Sequence, residues 1–172
     1  MSKFKTAFPP LLAELHKLPF DYADGEGIDF RPFAQFQSAS ENASWIKAYT
    51  ANRDLTGSEY RIFGNDFSGG YAAFWLVRPN ADLLEQPIVF FGSEGDLGVV
   101  AKNFADYLWL LAGGFGPFEA IEYPGLERKP NDTFTAFAND HAAAAKKPPG
   151  EVIGEARREF PSFEKDFRAL CR

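Results

Sequence analysis

The chain holds one cysteine, one methionine and two histidines among 172 residues. A lone thiol, Cys171, cannot close an internal disulfide, so the sequence suits a reducing compartment and a fold held by its own core. Cys171 also has no neighbouring His and no helix start to lower its pKa, which argues against a nucleophile. His16 and His141 fall in separate helical segments without Glu or His at i+4, so the spacing of a helical zinc site is missing and both read as surface or boundary residues. Apolar runs all fall well short of the roughly 20 residues of a membrane-spanning helix. The opening MSKFKTAFPPLLAELHKL is broken by Pro9 and Pro10 and charged throughout, unlike a secretory leader. Positive charge is in deficit: 18 Lys and Arg against 24 Asp and Glu give a net charge of −6. That balance repels phosphate-rich partners, argues against nucleic acid and welcomes a basic protein. A cytoplasmic protein with no membrane contact is the expectation.

Aromatic side chains are plentiful instead. They make up 16% of the residues, and 19 are Phe. A chain of this length is expected to form one domain, residues 1–172, and to bury roughly 70% of its unfolded surface without staples. Rings in such number suit a sheet packed against helices, or in part a binding face.

Apolar spacing predicts a helix near 9–17, with Leu11, Leu12, Leu15 and Leu18 on one face, and a second from Ser40 to Tyr49 carrying Trp45, Ile46 and Tyr49. The intervening FDYADGEGIDFRPF reads as a loop or a short edge strand. From Tyr60 the period becomes two, as in a half-buried strand. Tyr71 to Val77 is continuously apolar, which predicts a central strand covered on both faces; further strands are expected at 88–91 and 98–101. Asn103 caps a strongly apolar helix over 104–111 that Gly113-Gly114 ends. Helical segments then follow over 132–147, 151–159 and 162–170, separated at Pro148-Pro149-Gly150. The fold class is therefore α+β, a mixed or antiparallel sheet of four to six strands with helices against it. The core motif spans 60–114 and a helical extension spans about 130–172. Trp45, Trp75 and Trp109 lie in apolar stretches and are expected in the core.

No segment carries a complete reactive constellation. GNDFSGG has phosphate-loop glycines, but Gly70 and Tyr71 stand where a Lys is needed. GSEGDLG follows a strand, but Glu94 and Asp96 put negative charge where pyrophosphate would sit. Ser58, Ser68 and Ser93 lie near glycines outside any G-x-S-x-G elbow. No catalytic residue, cofactor or metal site is expected. Asp66, Glu94 and Asp96 form the polar cluster of interest, because pairing of the strands beside Gly69 and Gly92 would bring them to one side of the sheet. Three roles stay open for them: turn and cap hydrogen bonds, an acidic patch for a basic partner, or a small metal-dependent ligand site or enzyme.

FGNDFSGGYAAFWLV, followed by PIVFFGSEGDLGVVAKNFADYLWLLAGG, resembles the SUKH superfamily, which includes a fungal cell-wall assembly regulator and many bacterial immunity proteins. The likeness rests on the acidic glycine turn (Asn65, Asp66, Ser68, Gly69), the apolar strand, the Pro-led strand from Pro87 to Phe91 and the helix from Phe104 to Leu111. It covers about a third of the chain and does not reach past Gly116. The resemblance implies an α+β fold with a binding role and no catalytic apparatus. It also implies a protein partner, in bacteria often the basic nuclease domain of a toxin system; the fungal relatives imply a regulatory scaffold. It assigns no contact residues.

Overall fold

The computed structural model describes residues 6–172, which form seven α-helices and one five-stranded antiparallel sheet, an α+β arrangement. Met1–Lys5, part of the segment weighed as a leader, lie outside the described residues. The strands are β1 (Arg31–Pro32), β2 (Tyr60–Asn65), β3 (Tyr71–Trp75), β4 (Ile88–Phe91) and β5 (Leu97–Ala101), paired in chain order. One edge, β1, is two residues long and contains Pro32, which blunts it against further pairing.

The helices are α1 (Pro10–Leu15), α2 (Ala39–Thr50), α3 (Phe104–Ala112), α4 (Pro117–Glu122), α5 (Asp132–Ala142), α6 (Pro149–Glu159) and α7 (Phe163–Arg168). The second helix starts at Ala39, one residue before the expected Ser40. Ser38 rather than Ser40 caps it, because Glu41 stands three residues on and completes a capping box: Ser38 Oγ accepts the Glu41 N–H at 3.1 Å and Glu41 accepts the Ser38 N–H at 2.8 Å. Asn103 caps α3 as expected, accepting the Asp106 N–H at 2.9 Å. The expected 132–147 helix ends at Ala142 and tightens to a 3₁₀ turn over 143–145.

Both faces of the sheet are covered, so strand periodicity is hidden in β3 and β4, which are apolar at every position. On one face Phe63, Ala72, Phe74, Ile88, Phe90 and Val100 pack into a core shared with α1, α3 and α5. On the other, Tyr60, Ile62, Ala73, Val89 and Phe91 meet Ile46 of α2 and Phe163 and Phe167 of α7. β2 is accordingly buried on both faces, not half-buried. Even Arg61 within it is inaccessible: its guanidinium donates to the Ser58 carbonyl at 2.8 Å, the Tyr60 carbonyl at 3.1 Å and Thr6 Oγ1 at 3.3 Å. Trp109 is buried, whereas Trp45 and Trp75 are half-buried at the margin of the second face.

The C-terminal helices are thus a wall of the protein. Phe91 stands at the middle of a ring cluster with Trp45 at 5.0 Å, Tyr60 at 5.1 Å and Phe167 at 4.9 Å between centroids. Such pairs contribute about 0.5–1.5 kcal/mol each beyond the area they bury. The chain end is strapped down as well, by the Arg172 N–H on the Thr50 carbonyl and Asn52 Nδ2 on the Leu170 carbonyl, each 2.8 Å.

Candidate functional site at the acidic end of the sheet

β3 pairs with β4 so that Tyr71 faces Phe91, which places the turn before β3 (66–70) and the turn after β4 (92–96) at one end of the sheet. The two turns touch: Ser93 Oγ donates to Ser68 Oγ at 3.1 Å. The pairing therefore brings Asp66, Glu94 and Asp96 to the same end, as the sequence suggested.

Their roles there differ. Asp66 is 1% exposed, and its carboxylate is taken up by the turn itself. It accepts the Gly70 N–H at 2.7 Å, the Ser68 N–H at 3.0 Å and the Ser68 hydroxyl at 3.0 Å. Gly69 supplies the left-handed φ of 100° that closes the turn, and Gly95 does the same in the second turn at 96°. Gly70 is needed for space: a Cβ there would lie 2.6 Å from Phe90 Cζ and 2.9 Å from the Phe91 carbonyl. Glu94 and Asp96, by contrast, are exposed. Asp66 fixes the turn and adds to the field, while Glu94 and Asp96 face solvent.

Three further carboxylates belong to this end and were missed from the sequence. Glu122, at the C-terminus of α4, faces Asp96, Asp66 and Glu94; burial and then the Asp96 carboxylate raise its pKa. Behind it, Glu119 accepts the Gly116 N–H at 2.9 Å and the Asp29 N–H at 3.2 Å. Asp29 in turn accepts the Phe67 N–H at 2.8 Å. Burial pushes Glu119 up to about 7, and burial likewise raises Asp29 against the hydrogen bond from Phe67. The signal for α4 was present in Gly116-Pro117-Phe118-Glu119, a proline in the first turn followed by a glutamate placed to cap. Asp29 had no local signal, because its partners lie 38 and 90 residues away.

Two arginines temper the negative charge. Arg168 Nη2 donates to the Gly95 carbonyl at 3.0 Å and to Glu164 at 3.0 Å. The Arg31 guanidinium lies 5.6 Å from the ring centroid of Phe67. Among the described residues, no group of three or more His, Cys, Asp and Glu side chains is placed to hold a metal ion, and no helix is long and apolar enough to cross a membrane.

Elsewhere, His16 sits at a boundary among phenylalanine rings. Its Nδ1 pairs with the Phe33 carbonyl at 2.7 Å, and burial lowers its pKa. His141 is exposed and packs on Phe137 with centroids 4.4 Å apart. Cys171 is exposed near the Phe167 carbonyl. An open cleft of about 760 Å³ runs between the 21–28 loop and residues 126–133; it is lined by polar groups of both signs and does not include Asp66, Glu94 or Asp96. Compared with known proteins, the chain matches no family model, no curated protein and no solved structure at a significant level.

Proposed function

We infer that this protein is a non-enzymatic, cytoplasmic protein-binding module of SUKH type that docks a basic partner through the acidic end of its sheet. In a bacterial setting that partner is the nuclease-type domain of a toxin system, and the protein is its antidote. The reading is carried by one observation: two rigid turns converge so that Glu94 and Asp96 face solvent beside Glu122, over the buried carboxylate of Asp66. A net charge of −6 acts in the same direction, because complementary fields speed encounter with a basic domain toward roughly 10⁸–10⁹ M⁻¹s⁻¹ at low salt.

Co-expression with the toxin domains encoded beside its gene tests the reading. Protection of the cells is expected, with a complex that survives gel filtration, and the Glu94→Lys/Asp96→Lys pair should abolish both. Failure to protect against any neighbouring toxin, or protection untouched by the charge reversal, would count against it.

A further inference from the structure

The turn that carries Asp66 also carries an exposed phenylalanine. Phe67 is 56% exposed, although neighbouring positions of the turn are polar or glycine. Its backbone is held on every side: the Asp66 carboxylate binds the two N–H groups of Ser68 and Gly70, the Phe67 N–H is tied to Asp29, and Ser68 is tied to Ser93. A large apolar ring held in water on so constrained a turn is an anchor whose ordering entropy is already spent before a partner arrives. Tyr22, half exposed, meets the same ring edge-on at 6.1 Å, and Tyr123, also half exposed, follows Glu122 directly.

The surroundings select the partner's chemistry. An apolar segment laid on Phe67 would bury the neighbouring carboxylates without compensation, which is unfavourable. A guanidinium is suited to both parts of the site, since its face stacks on an aromatic ring while its edge forks to carboxylate oxygens; an ammonium does the second well and the first less well. The protein already uses this chemistry internally, with Arg31 over the same ring.

We propose that Phe67 is the anchor of the docking end and that the partner seats an arginine side chain against it, with Glu94, Asp96 and Glu122 holding the guanidinium's charge. The proposal rests on the acidic end being the docking surface. It adds which residue dominates and which cation is preferred.

The test uses the full ¹⁵N-labelled chain titrated with an alternating Arg-Ala decapeptide and its Lys-Ala counterpart, at low and moderate salt. Amide shifts are expected to cluster at Phe67, Ser68 and Glu94. The arginine peptide should bind about two- to fivefold more tightly than the lysine one. Phe67→Ala should weaken binding about fivefold or more. Phe67→Leu keeps apolar area but removes the ring, and should also lose the preference for arginine. Phe67 touches solvent, so both variants fold, which their thermal transitions check. If Phe67→Ala leaves affinity within twofold while Glu94→Gln/Asp96→Asn weakens it, the anchor is refuted and the acidic docking end survives. If shifts scatter over acidic residues far from the two turns, both fail.

Discussion

Replacing Phe167 by alanine asks whether the C-terminal helices are a wall of the core or an appendage to it. Phe167 is 3% exposed on α7, packed 4.9 Å from Phe91 and 6.0 Å from Tyr49 by ring centroids. Cutting a buried phenylalanine to alanine costs about 3–5 kcal/mol, from lost transfer energy and the cavity left behind. α7 is short and near the chain end, so it can settle partly into the gap, and the lower figure applies. A loss of about 3 kcal/mol in a domain of this size lowers Tm by roughly 6–12 °C. Urea unfolding followed by tryptophan fluorescence is the assay, because Trp45 lies 5.0 Å from Phe91 and Trp75 lies 4.7 Å from Phe163, both in the affected layer. The midpoint should fall with the slope unchanged, the signature of a native state weakened but intact. Phe167→Leu, which keeps most of the volume, should cost about 1 kcal/mol. A loss below about 1 kcal/mol for the alanine variant would refute the account, since it would mean that α7 covers nothing the sheet needs covered.

Asp66→Ala should destabilise by about 2–3 kcal/mol, because it strands the Ser68 and Gly70 N–H groups, whereas Asp66→Asn keeps an acceptor for both and should cost about 1 kcal/mol; chemical denaturation distinguishes them. Lys147→Met should cost about 2 kcal/mol. Lys147 sits 2.9 Å from Asp106, which is 1% exposed, and 3.0 Å from Glu155, so the change leaves a buried carboxylate without its cation; the Lys147→Met/Asp106→Asn pair should recover much of the loss in the same assay. Glu119, pushed up to about 7 by burial from an ordinary 4.5, binds its proton more tightly folded than unfolded. Its contribution is therefore fully present below about pH 4.5 and is lost as pH rises through 7, an effect of order 3 kcal/mol by linkage. Tm of the wild type should fall between pH 5 and pH 8 by more than that of Glu119→Gln; equal slopes would refute the assignment.

Much of the architecture was legible because it is written in local signals. The N-cap at Asn103, the apolar stripe through Leu108 and Leu111 and the glycines at 69 and 95 each act within a few residues of themselves. Strand burial was harder to read. Arg61 between Tyr60 and Ile62 gives an alternation that looks half-exposed, whereas the side chain is buried with partners that include the Thr6 hydroxyl, 55 residues away. The convergence of Asp66, Glu94 and Asp96 was legible because it follows from pairing two neighbouring strands. Glu122 and Asp29 were not, because they reach the same place from other segments of the chain. The C-terminal wall was hidden for the same reason. Phe163 and Phe167 have helical spacing, but nothing local says that their partners are Trp75 and Phe91.

The aromatic excess and the acidic end belong to one design, because the rings that fill the second face also fix the turns. Phe91 is the last residue of β4, locked among Trp45, Tyr49, Tyr60 and Phe167, and the next residue, Gly92, opens the acidic turn. The Tyr49 hydroxyl donates to the Gly92 carbonyl at 2.9 Å, and burial raises that phenol to about 12, so it remains a donor at any physiological pH. On the opposite face Phe90 packs under Gly70 of the other turn. Each turn is thus seated on a ring that cannot move without opening a core. A surface built this way presents its carboxylates and Phe67 in one arrangement, so the docking proposed for it would cost little further ordering on this side. Selectivity would follow from the same stiffness, since a partner whose cations are spaced differently finds a surface that does not adjust to it.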